Sequence, residues 1–107
     1  LEERDTLALL KVYEGQREMG LGRWSRAIRA WDEGLAALRD YGSPVDLVRS
    51  LKEIGMFHAE HGKREEARGY LLEASECARK LGNATLLAEI GEALNRLADS
   101  TVPRESA

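Results

Sequence analysis

The chain has 107 residues, 43% of them hydrophobic and 33% charged, with a formal net charge of −3 from 16 basic and 19 acidic side chains. That balance suits one globular domain and excludes a disordered chain, and the missing basic excess argues against a nucleic-acid partner. No apolar run approaches the roughly 20 residues that cross a bilayer, and a single cysteine, Cys77, permits no internal disulfide, so a cytoplasmic protein with no membrane partner is expected.

Apolar residues recur at three- and four-residue steps, and strand-like alternation is absent, so the pattern predicts five helices. In chain order these cover residues 4–19, 24–41, 44–61, 64–81 and 84–99. Gly20 and Gly22 bracket the first joint. After the second helix, Gly42 is expected to take the left-handed conformation that ends a helix. Ser43, Pro44 and Asp46 then read as an N-cap, a first helical residue and the far half of a capping box. Gly62 marks the third joint, and Gly82-Asn83 the fourth, with Arg79 and Lys80 complementing the negative end of the helix before it. Leu87, Ile90, Leu94 and Leu97 form one apolar stripe on the last helix. Beyond Ser100, residues 101–107 read as a frayed, flexible C-terminal tail.

The punctuation repeats. Gly15, Gly22, Ala27, Glu33, Arg39 and Gly42 recur forty positions later as Gly55, Gly62, Ala67, Glu73, Arg79 and Gly82. A fixed period of this size marks a stack of supersecondary units, which typically binds other chains. Gly15 and Gly55 fall inside helices, where glycine costs about 1 kcal/mol relative to alanine. A close helix crossing would offset that, with Ala27 and Ala67 as the small opposing surfaces.

These residues resemble the tetratricopeptide repeat (TPR) family, in its longer-period form found in bacterial regulatory proteins. The second unit supplies Leu51, Ile54, Gly55, His58, Gly62, Arg64, Ala67, Leu71 and Ala74 at the motif positions, with His58 and Arg64 replacing aromatics. The first supplies Lys11, Glu14, Gly15, Glu18, Gly22, Trp24, Ala27, Trp31 and Gly34, departing from the motif at Lys11, Glu14 and Glu18. The resemblance implies an all-α, right-handed α-α superhelix of about two and a half helix-turn-helix repeats, five antiparallel helices forming one domain over 1–100. Repeat 1 would cover 4–42, repeat 2 43–82, and a capping helix 83–100. It further implies a scaffold without catalysis or cofactor that holds a peptide or helical segment of another protein in a concave groove.

First helices line that groove in such arrays, so the resemblance places Leu9, Val12, Gln16 and Met19, then Arg49, Lys52, Met56, Ala59 and Glu60, then Glu89, Glu92 and Arg96 there. Members that clamp a terminal carboxylate use cationic and amide side chains where this chain has Val12, Gln16, Lys52, Met56, Glu92 and Arg96, which argues against that activity. An alternative is a regulatory module of a larger signalling or transcription-regulator protein that self-associates. The first helix spreads Leu7, Leu9, Leu10, Val12 and Tyr13 over several directions, leaving an outer side to be covered.

Other chemistry is less well supplied. Trp31 falls on a core position, while Trp24 sits at the turn, between core and recognition roles. His58 and His61 stand three apart, but a zinc site needs a third protein ligand and the spacing is not that of the two-histidine metalloprotease helix. His58 is expected to replace a packing aromatic and His61 to cap its helix. No metal site, cofactor or catalytic group is expected, and Cys77 reads as a small buried residue.

Overall fold

The computed structural model describes residues 2–99, which form five helices and no strand: α1 Glu2–Gly20, α2 Trp24–Tyr41, α3 Pro44–Glu60, α4 Arg64–Leu81 and α5 Ala84–Asp99. The tail expected over 101–107 lies outside the described residues. No described helix is long and apolar enough to cross a membrane. The chain divides into two compact units, 1–50 and 51–107, each with its own packing.

In the first unit, α1 presents Ala8, Val12, Gly15 and Met19 as one buried stripe, at helical spacing. Opposite it, α2 buries Ala27, Ala30, Trp31, Gly34, Leu35 and Leu38. The pairing is close enough to dictate residue size at two points. A β-carbon on Gly15 would lie 2.4 Å from the Trp31 indole, and one on Gly34 would lie 2.9 Å from the Ala8 carbonyl oxygen. Trp31 is fully buried, and its indole N–H donates to the Val12 carbonyl at 3.1 Å. The nearest neighbour of Gly15 is therefore a large ring, where the sequence pattern led one to expect the small surface of Ala27. The missing β-carbon makes room for an indole edge. Trp24, half-buried, meets Trp31 edge to face with centroids 6.2 Å apart, a preferred aromatic geometry.

In the second unit, Gly55 does the corresponding work on a smaller scale. A β-carbon there would meet the Leu71 side chain at 3.0 Å and the Ala67 carbonyl at 3.2 Å. Leu51, Ile54, Ala67, Leu71, Ala74, Ala78, Leu86, Ile90, Ala93 and Leu97 make up its core. His58 is buried there too, its Nδ1 within 2.8 Å of the Ile54 carbonyl and its ring 4.9 Å from Tyr70. Imidazole thus fills an aromatic's place, one ring nitrogen donating into the helix.

The two short joints are copies in their backbone hydrogen bonds. Arg23 N–H donates to Glu18 O at 2.8 Å and Gly22 N–H to Met19 O at 2.9 Å, while Lys63 N–H donates to His58 O at 2.9 Å and Gly62 N–H to Ala59 O at 3.1 Å. This is the paired closure of a Schellman turn, which needs a left-handed residue. Gly22 and Gly62 supply it with φ of 77° and 75°. Gly82 ends α4 in the same way, with φ of 70° and Asn83 N–H donating to Ala78 O at 3.2 Å.

Gly42 does not follow the expectation. Its φ of −87° and ψ of 173° are extended, not left-handed. The restriction that a proline places on the residue before it falls on Ser43, so the extended path continues through Ser43 into Pro44 and Gly42 has no need of the left-handed region. The chain turns out of α2 along Ser43-Pro44 without a positive φ. Ser43 Oγ then accepts from Asp46 N–H at 3.4 Å, and Asn83 Oδ1 accepts from Leu86 N–H at 3.0 Å, capping α3 and α5.

Two glycine substitutions separate packing from propensity. Gly15→Ala is expected to destabilise the protein by about 1–3 kcal/mol, because the methyl drives into the indole. Gly69→Ala, with nothing within 4 Å of its added carbon, is expected to stabilise by up to about 1 kcal/mol. Urea unfolding followed by circular dichroism reads both, and equal effects at the two positions would refute the crossing argument.

Candidate functional site

The second unit carries a depression of about 280 Å³ lined by Met56, Ala59, Glu60, Leu71, Ala93, Arg96 and Leu97. Three helices shape it. From α3 come Met56, Ala59 and Glu60, spaced so that they share one side, α4 contributes Leu71, and α5 contributes Ala93, Arg96 and Leu97. The floor is apolar because Leu71, Ala93 and Leu97 belong to the core stripes of their helices. Met56 and Ala59 are half-buried at its wall, and Glu60 and Arg96 are exposed at its rim. Neither rim charge has an ion-pair partner among the described residues. A cavity just below the roughly 300–1,000 Å³ of small-molecule pockets accommodates one apolar side chain, and the two free charges can address polar groups beside it.

Of the groove positions expected from the sequence, this depression brings together Met56, Ala59, Glu60 and Arg96. Others go elsewhere. Val12 and Met19 are 1% and 7% exposed, so they are core residues that a partner does not reach. The reason is the α1 to α2 crossing, whose buried stripe includes both. Leu9 and Gln16 are half-buried, and Arg49 and Glu92 are exposed, but none of the four lines the depression. Lys52 is half-buried and its ammonium donates to Glu89 at 2.8 Å. That engagement leaves it ill placed to clamp a ligand carboxylate. Sequence reasoning missed Ala93 and Leu97 as lining residues. The α5 stripe that includes Leu97 was visible, but periodicity shows which residues turn inward, not which of them border a hollow.

The first unit holds a polar depression instead, lined by Lys11, Glu14, Glu18, Arg26, Arg29, Ala30 and Glu33. Lys11 lies 3.2 Å from Glu33 and 3.5 Å from Glu14. The Lys11 ammonium is held above its usual pKa of 10.5, first by the hydrogen bond to Glu33 and then by the negative charges of Glu14 and Glu33. Glu18 is nearly buried, 3.4 Å from Arg23 and 3.9 Å from Arg17. Three acids and three bases line this surface and largely cancel, so it lacks the single sign of charge that concentrates a ligand.

His61 Nδ1 stands 2.9 Å from the Phe57 carbonyl, exposed at the end of α3, whereas His58 points into the core. Among the described residues no three metal-ligating side chains converge. Cys77 is half-buried. Compared with known proteins, the chain finds no significant match to a family model, a curated sequence or a solved structure.

The Lys11 cluster offers a direct electrostatic check. Its ammonium is expected to titrate above 10.5, and Glu33→Gln is expected to lower the midpoint, because the amide keeps an acceptor oxygen but loses the negative charge that favours the protonated form. Nitrogen-detected NMR of the lysine side chain measures this, and an unchanged midpoint would contradict the assignment.

Proposed function

We propose that this chain is a TPR-like scaffold that recognises a segment of another protein, and that the apolar depression of the second unit is its principal contact. The single observation carrying this reading is the depression itself: a floor of Leu71, Ala93 and Leu97, walled by Met56 and rimmed by the unpaired charges of Glu60 and Arg96. Methionine suits a surface that must adapt to its ligand, since the thioether is flexible and polarisable. The forty-residue recurrence of glycine crossings and Schellman joints supports the repeat assignment, and the resemblance in sequence supplies the superhelical arrangement.

The mechanism is burial of one apolar side chain in the depression, with Arg96 addressing a carboxylate of the bound segment and Glu60 an amide or cation. Arg49, Glu92, Leu9 and Gln16 lie on first-helix faces and would extend the contact where the segment is long. No catalysis, metal or cofactor enters this reading. A cytoplasmic location accompanies it.

Fluorescence anisotropy against a peptide library with a central leucine or methionine tests the proposal. Peptides with a glutamate beside the anchor are expected to bind at least about tenfold more tightly than their lysine counterparts, a difference of about 1.4 kcal/mol. Arg96→Glu is expected to reverse that preference and Met56→Asp to abolish binding while helicity persists. Binding that ignores both substitutions would remove the depression from the function.

A further inference from the structure

Two unpartnered surfaces remain, one in each unit. On α1, the side opposite the buried stripe exposes Leu7, Leu10 and Tyr13 at 61%, 54% and 54%. Glu14 stands one turn beyond Leu10, with its side chain 47% exposed. On the second unit, α4 and α5 border a groove of about 260 Å³ lined by Arg64, Arg68, Leu72, Leu94, Leu97 and Ala98. Leu72 is 51% exposed at its edge. No acidic side chain lines this groove, and neither Arg64 nor Arg68 forms an ion pair among the described residues.

An apolar trough edged by two free guanidiniums matches an apolar ridge edged by a carboxylate. The outer side of α1 is such a ridge. The spacing agrees as well, since Leu10 to Glu14 and Leu72 to Arg68 are both four residues, about 6 Å of helix. Among the described residues Glu14 is held only by Lys11 at 3.5 Å, an exposed pair of the kind that is weak and screened by salt. A guanidinium in a partly dry groove, able to take both carboxylate oxygens, would compete for it readily.

We propose that α1 of one copy of this chain docks into the α4–α5 groove of a second copy, with Leu7 and Leu10 on Leu72 and Leu94 and Glu14 on Arg68. This gives the self-association expected of the first helix a receiving surface. It uses neither Met56, Glu60 nor Arg96 of the peptide-binding depression, although Leu97 lines both hollows. The contact is heterologous, because the two faces differ, so a docked pair keeps one free ridge on one copy and one free groove on the other, and association continues until a ring closes or a filament grows.

Sedimentation velocity on the full chain, from about 5 to about 200 µM so as to bracket micromolar dissociation constants, tests this. The wild-type coefficient is expected to rise with concentration. Leu10→Asp and Arg68→Glu should each remain monomeric, with unchanged circular dichroism. Mixed in equal amounts, the two variants should form a one-to-one dimer that grows no further, since each retains the face the other has lost. Combining Glu14→Arg with Arg68→Glu should restore association to within about threefold of wild type, about 0.65 kcal/mol. A wild-type monomer at the highest concentration overturns the proposal. So does an Arg68→Glu variant that still self-associates, the outcome expected if α1 pairs with α1, and so does a mixture that stays monomeric, the outcome expected if the groove takes an acidic segment of a different protein. Peptide binding by the monomeric Leu10→Asp variant is measured alongside, so that failure of self-association and failure of the peptide site are told apart.

Discussion

The first unit depends on one indole finding space against one glycine. Trp31 is fully buried, its N–H satisfied by the Val12 carbonyl, and its edge occupies the volume that any side chain on Gly15 would fill. Three demands meet there: a large apolar area removed from water, a polar atom that must not go unpaired, and a backbone approach that tolerates no β-carbon. Meeting them fixes which faces of α1 and α2 point inward. What is left outside, including Leu7, Leu10 and Tyr13, follows from that choice. The second unit solves the same problem more loosely with Gly55 and Leu71, and its core beside α5 leaves the Met56 depression open.

The helices themselves were legible because their signals are local. Glycine at Gly22, Gly62 and Gly82, an asparagine or serine cap, and a proline at Pro44 mark ends through backbone sterics alone. The observed bounds differ from the expected ones mainly at the start of α1, where no capping signal stands. Gly42 misled because glycine permits a left-handed turn without requiring one. The exact partner of Gly15 was not legible either. Sequence showed that something must approach closely, but whether a methyl or an indole depends on how far one helix slides along the other.

The site was less legible than the fold for the same reason. Helical periodicity separates inward from outward positions, and the resemblance added Met56, Glu60 and Arg96 among its expected groove positions. The resemblance could not tell that Val12 and Met19 turn into the α1 to α2 contact, because a repeat pattern assigns a role to a position while burial is decided by neighbours. Lys52 shows the complementary limit. A lone cation in sequence became a satisfied one once Glu89 was found 2.8 Å away, a distance no one-dimensional pattern contains.

The matched joints at Gly22 and Gly62 carry a consequence for how this architecture tolerates change. Neither Arg23 nor Lys63 contributes a side-chain capping bond, so the closing hydrogen bonds that the two bends share run between amide and carbonyl groups. That shared closure asks for a glycine in the left-handed region and little else of the neighbouring side chains. The hairpins can be repainted residue by residue, one copy burying a carboxylate beneath its bend and the other an imidazole, while the frame that displays them keeps its shape.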